Sequence, residues 1–192
     1  FAGEVFPIKY LKLLKSLWLY PRYFNLYGPT ETNVCTFYEV PRWLPESQSE
    51  PVPIGKACYP YCEAIVVDEP GAEVARAVEG ELCISGPSVM QGYWNLPENT
   101  AKAFLPDRDR RWYRTGDIVV ELPDGNYKFL GRRDRMIKKR GYRIELAEIE
   151  VALYRHPAIK EAAVLGFPDI DGVAVKAFIS TRDGSKLSII EL

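Results

Sequence analysis

From residue 54 to residue 130 the sequence is a succession of short β-rich runs cut by Gly, Pro and Asp. That punctuation is too frequent for long helices and suits antiparallel strands. Runs fall at 64–68, 80–85 and 117–122. Pro123-Asp124-Gly125-Asn126 before Tyr127-Lys128-Phe129-Leu130 is a hairpin signal. A short helix fits at 97–104, with Pro97 early and Ala101 and Phe104 on one side. The region is expected as a distorted β-barrel or paired sheets.

The flanks read differently. Ile8, Leu11, Leu14 and Trp18 recur at helical spacing, so a helix is expected over 7–19, ended by Pro21. A short buried strand follows at 23–26, and then a turn at 27–31 rich in side-chain oxygens. Four prolines in 41–53 mark a surface loop and a subdomain boundary. Downstream, the basic run around 132–143 has alternating apolar positions that suit a packed hairpin. A helix over 146–154 and strands at 161–167 and 173–179 complete an α+β unit. The expected organisation is α/β for 1–52, β-rich for 53–133 and α+β for 134–192.

Composition limits function. With 25 basic and 26 acidic residues the net charge is −1, which excludes a chain-wide basic surface for nucleic acid. Hydrophobic residues at 47% and charged residues at 27% suit a folded domain rather than a disordered one. No apolar run approaches the ~20 residues of a membrane span. Four cysteines are too few for a disulfide scaffold, so a reduced, cytoplasmic chain is expected. The first residue is Phe1, not Met, and 187–192 is apolar-periodic without a cap. Both ends are those expected of a piece of a longer chain.

Three motifs carry chemistry. In Asn25-Leu26-Tyr27-Gly28-Pro29-Thr30-Glu31-Thr32, a flat ring lies beside bare backbone, which suits an aromatic base. Thr30 offers a hydroxyl for a phosphate oxygen, and Glu31 a hard carboxylate for Mg²⁺. A plain strand-to-loop turn is the competing reading. In Trp112-Tyr113-Arg114-Thr115-Gly116-Asp117, an Asp at the head of a strand can accept both hydroxyls of a ribose; a β-turn Asp is the alternative. The third motif runs from Gly131 to Leu146 and packs seven cations that repel one another unless neutralised. A solvated basic face is its competing reading.

The order of these motifs, with Gly80-Glu81-Leu82-Cys83-Ile84-Ser85-Gly86 and Gly92-Tyr93-Trp94 between them, resembles the adenylate-forming superfamily. That superfamily includes the amino-acid adenylation domains of nonribosomal peptide synthesis, acyl-CoA synthetases and luciferases. The resemblance covers nearly the whole chain. It implies a fragment of the adenylate-forming enzyme fold: the end of a large AMP-binding domain (1–133) and the first part of a mobile α+β domain (134–192). It implies ATP and Mg²⁺ as cofactors and a ligase that makes an acyl-adenylate and passes the acyl group to a thiol.

By that resemblance Asn25 contacts the adenine amino group, Tyr27 stacks on adenine beside Gly28, Thr30 contacts the α-phosphate and Glu31 holds Mg²⁺. Asp117 holds the ribose hydroxyls with Arg132 assisting. Asp134 is the hinge, Gly141 lines the pantetheine path, and Lys138 and Arg143 are cations whose roles change as the small domain rotates. The phosphate loop is expected upstream of Phe1 and a catalytic lysine beyond Leu192, so the isolated chain is expected to be inactive.

The side-chain pocket would be lined by Ala2, Leu26, Val34 and Cys35. All are small or apolar, which disfavours charged and strongly polar substrates. This set resembles the stand-alone proline-activating ligases that load L-proline onto a phosphopantetheinylated carrier protein; Val, Leu or another apolar acid is the alternative. A CoA or aryl-acid ligase of the same superfamily, and a non-catalytic nucleotide-binding module, are the other functional readings. Neither nucleic acid nor membrane is an expected partner. Cys58 and Cys62 lack a second pair or a nearby histidine and make a weak zinc site; they read as ordinary core cysteines. His156, before Pro157, reads as a helix-end residue.

Overall fold

The computed structural model describes residues 1–106, 108–133, 136–139, 142–169 and 172–182. The chain divides into two compact units, Phe1–Arg133 and Asp134–Leu192.

The first unit opens with helix α1 (Ile8–Leu17) behind Pro7. The helix ends before the expected residue 19; continued to Pro21 it would set the proline ring against the Leu17 carbonyl and lack the N–H bond that proline cannot donate. Trp18 is already extended, and its carbonyl accepts the Tyr23 hydroxyl at 2.8 Å. Leu11 packs with Tyr23, Val40 and Val52 in a small core of its own.

Strands β1 (Phe24–Tyr27), β2 (Thr36–Glu39) and β3 (Lys56–Ala57) form an antiparallel sheet with β2 central. In β1 residues alternate between half-buried and buried, which turns Asn25 and Tyr27 inward. The proline-rich loop runs between the two regions. Val52 belongs to the α1 core, and the Ile54 N–H donates to the Tyr127 carbonyl at 2.9 Å.

Strands β4 (Glu63–Val67), β5 (Glu79–Ser85), β6 (Tyr113–Glu121) and β7 (Tyr127–Arg132) form a second antiparallel sheet in sequence order. The order places β4 and β7 at its two ends, and an antiparallel bridge between Gly55 and Tyr127 joins β7 to the segment entering β3. Both sheets contribute to one core: Tyr27, Cys35 and Ile54 meet Cys62, Val66, Leu82, Ile84, Val119 and Tyr127. On the opposite face Val67 and Cys83 pack with Leu105 and Trp112. Burial on both faces explains the continuous apolar run in β5. Helix α2 (Pro97–Lys102) starts with Pro at its first turn.

The second unit has a hairpin of β8 (Met136–Lys139) and β9 (Tyr142–Glu145), helix α3 (Leu146–Tyr154), and a long hairpin of β10 (Ile159–Asp169) and β11 (Gly172–Thr181). The α3 and hairpin expectations match. The strands run longer than expected, because pairing continues past the apolar stretch at both ends. Glu150 on α3 accepts the Val164 N–H of β10 at 2.7 Å and ties helix to strand. Among the described residues no helix is long and apolar enough to cross a membrane.

Candidate active site

Asp117 lies in the middle of β6 and not at the head of a strand as its Gly-Asp context suggested. Gly116, at φ +71°, takes a left-handed conformation that glycine adopts without steric cost. The ladder slips there: Glu81 faces Ile118 and Cys83 faces Arg114, so Leu82 alone spans Thr115, Gly116 and Asp117. The strand resumes on either side of this bulge, which re-aims the Asp117 side chain.

Asp117 is 1% exposed. Its Oδ2 accepts the Tyr27 hydroxyl, and its Oδ1 accepts Arg132 Nη1 at 2.8 Å. Arg132, its register partner on β7, also donates to the Thr115 carbonyl at 3.0 Å. The Thr115 hydroxyl donates to the Leu82 carbonyl at 2.7 Å and accepts the Asp117 N–H at 3.1 Å. Tyr27, Asp117 and Arg132, far apart in sequence, therefore meet in one buried network. Burial, and then the Asp117 charge, hold the Tyr27 phenol well above its ordinary pKa, so it is a permanent proton donor near neutral pH.

Tyr27 is 8% exposed and belongs to the shared core. Asn25 donates to the Pro53 carbonyl at 2.8 Å and ties β1 to the loop before β3. Beyond β1 the chain doubles back at Gly28, where a Cβ would lie 1.7 Å from the Asn33 carbonyl oxygen. Thr30 is exposed on this turn. Glu31 is buried; its Oε1 accepts the Tyr93 hydroxyl at 2.8 Å and its carbonyl accepts the Met90 N–H at 2.7 Å. Among the described residues no group of three or more His, Cys, Asp or Glu could cage a metal. Mg²⁺ needs no such cage: it binds through one or two carboxylates plus phosphates and keeps waters. Glu31 on a tight, partly exposed turn fits that donor set.

Ala2 bridges Leu26 in parallel, and Val34 is 40% exposed. Cys35 is fully buried in the shared core, its N–H on the Tyr27 carbonyl at 2.9 Å. Burial pushes its thiol up to about 12. Lys138 and Arg143 are register partners across β8 and β9. Asp134 and Gly141 lie outside the described residues. All four cysteines are free; the Cys62 thiol donates to the Cys35 carbonyl at 3.1 Å. His156 accepts the Ala158 N–H at the end of α3.

Two residues escaped the sequence reading. Tyr93 was only part of a motif, yet it holds Glu31. Glu81 is buried beside Gly116 and accepts its N–H at 3.0 Å. The available signal was a carboxylate abutting the apolar run Leu82-Cys83-Ile84, since a buried charge needs partners.

Two family models match the chain: AMP-binding enzyme over residues 1–94, and AMP-binding enzyme C-terminal domain over residues 148–192. An L-proline–[L-prolyl-carrier protein] ligase of Pseudomonas fluorescens is 42% identical over all of this chain and 36% of its own length. The crystal structure of IdnL1 superposes with a TM-score of 0.89 at 30% identity, covering all of this chain and 39% of the other. A Vibrio cholerae adenylation domain, AlmE, solved with glycyl-adenosine-5′-phosphate, gives a TM-score of 0.82 at 32% identity over 95% of this chain and 35% of its own. The chain thus spans somewhat over a third of the length of the curated relative.

Proposed function

Because the chain belongs to the AMP-binding enzyme family, we propose that it is part of an ATP-dependent amino-acid adenylating enzyme. The protein makes an aminoacyl-AMP, with L-proline as the favoured amino acid, and passes the acyl group to the phosphopantetheine thiol of a carrier protein. The observation that carries this reading is the buried carboxylate of Asp117, held by Tyr27 and Arg132 within the region matched to adenylation domains. A carboxylate accepts about four hydrogen bonds, so Asp117 has capacity for both hydroxyls of a ribose. One diol hydroxyl replaces the Tyr27 hydroxyl on Oδ2, one O–H donor for another. Arg132 keeps the carboxylate oriented throughout.

In the first half-reaction a carboxylate oxygen of the amino acid attacks the α-phosphorus, and the bond to pyrophosphate breaks. Thr30 would donate to the α-phosphate, and Glu31, steadied by Tyr93, would hold Mg²⁺. The ion neutralises phosphate charge when bound. Asn25 would face the adenine edge and Tyr27 its ring. Ala2, Leu26, Val34 and Cys35 would bound an apolar side-chain pocket, and the name of the Pseudomonas relative supports proline there. In the second half-reaction the thiol attacks the acyl carbon and AMP leaves. We place the hinge for that step at Asp134, where the two compact units divide. Gly141 would line the pantetheine path, with Lys138 and Arg143 beside it. Four free thiols support a reducing compartment, the cytoplasm.

Amino-acid-dependent ATP–pyrophosphate exchange by the intact protein tests this reading. Exchange dominated by L-proline is expected. Exchange with another apolar acid would remove proline and keep adenylation; none with any amino acid would overturn the reading in favour of another acid ligase or a non-catalytic module.

A further inference from the structure

Glu81 is 4% exposed, next to the most apolar segment of β5. Its Oε1 accepts the Gly116 N–H at 3.0 Å. Its Oε2 accepts Arg114 Nε at 2.9 Å and Nη2 at 2.6 Å, and Arg133 Nη1 at 3.2 Å. These donors flank Asp117 and Arg132 on both strands of the site. The Arg133 N–H returns to the Gly116 carbonyl at 2.8 Å. Gly116 therefore has its N–H fixed by Glu81 and its C=O fixed by the residue that follows Arg132. At the bulge the regular ladder is interrupted, and these two bonds hold the backbone in its place.

We propose that Glu81 is the positioning residue of the ribose-diol site. It pins the Gly116 bulge and, through Arg114 and Arg133, the strand segments on either side. Asp117 is thereby aimed at the diol, while Glu81 itself touches neither nucleotide nor amino acid. This inference rests on the reading of Asp117 as the diol acceptor.

The arrangement has a specific consequence. A carboxylate that merely stabilised the fold would, when altered, weaken binding of any adenine nucleotide alike. One that aims Asp117 affects only nucleotides that have a diol to offer. The test is calorimetric titration of the intact protein with AMP and with 2′,3′-dideoxyAMP, for the wild type, Glu81→Gln and Glu81→Ala. The wild type is expected to prefer AMP. Glu81→Gln is expected to weaken AMP by about ten- to a hundredfold, the size of loss seen when an outer partner of a metal ligand is removed. Binding of the dideoxy nucleotide should stay unchanged, so the preference collapses. Glu81→Gln keeps an amide oxygen for Gly116 and decides the matter if the alanine variant does not fold. Equal loss for both nucleotides, or no loss for either in a folded Glu81→Gln protein, overturns the proposal while the diol reading stands. A wild type that does not distinguish the two nucleotides overturns both.

Discussion

A buried carboxylate must keep its hydrogen-bond partners, and at Asp117 those are a phenol and a guanidinium. Tyr27→Phe removes the phenol oxygen and leaves the ring. It should lower the unfolding free energy by about 1–3 kcal/mol, the usual penalty for stripping a partner from a buried polar group. On the proposed reading a ribose hydroxyl supplies a replacement donor, so the KM for ATP should not rise. Urea melts and exchange kinetics on one preparation check both; a raised KM with unchanged stability would contradict this account. The cysteines give a second residue-scale test. Burial pushes the Cys35 and Cys83 thiols up to about 12, while Cys58 is only partly buried. Titration with a disulfide reagent near neutral pH should modify Cys58 first and leave Cys35 and Cys83 silent until the chain is unfolded. Rapid modification of Cys35 would show that its pocket opens readily.

Strand β5 shows what sequence could and could not reveal. Its apolar run reads as a strand, and the structure buries Leu82 and Ile84 on one side and Cys83 on the other, a burial on both faces that only the structure reveals. Leu82→Ala should therefore cost about 2–5 kcal/mol, as large-to-small changes in a packed core do. Helix α3 and the turn between β6 and β7 were equally legible, because helical period and turn chemistry are local. Strands β2 and β3 were not. They are short, and β3 exists only through its pairing with Thr36 and Phe37. The centre of the site was half legible: the residue types at Tyr27, Asp117 and Arg132 could be named, but not their contact across 90 and 15 positions. Glu81 was missed for the same reason, since its partners lie 33 to 52 residues away. The turn after β1 makes a sharper prediction. Gly28→Ala would drive a methyl into the Asn33 carbonyl oxygen, so the turn must shift and carry Thr30 and Glu31 with it. Exchange activity should fall by at least about tenfold, since an angstrom of misplacement is enough for such a loss. Activity at the wild-type level would mean that this turn does not position reacting groups.

At the scale of the molecule, protons and domain division both matter. In the folded chain Cys35, Cys83 and Tyr127 hold their protons up to about 12, and Tyr27 holds its own well above its usual value. The unfolded chain releases them from about pH 9 to 10 upward. Above that range the folded state binds more protons than the unfolded, so stability falls as pH rises and is fully present below it. Thermal midpoints should be flat near neutrality with respect to these groups and drop steadily on the alkaline side, less steeply in Cys83→Ala. The division between Phe1–Arg133 and Asp134–Leu192 predicts a separation of the two half-reactions. Asp134→Pro fixes φ at one residue of the proposed hinge, so carrier loading should slow by at least about tenfold while exchange changes little. Equal loss of both would place the hinge elsewhere. The central claim is that Asp117 receives the ribose of an aminoacyl-adenylate. A crystal structure of the intact protein with a non-hydrolysable prolyl-adenylate analogue tests it most directly. The account predicts both ribose hydroxyls within hydrogen-bond distance of the Asp117 carboxylate, with Arg132 still on Oδ1 and the Tyr27 hydroxyl displaced. A ribose bound away from Asp117, with the Tyr27 hydrogen bond intact, would contradict it.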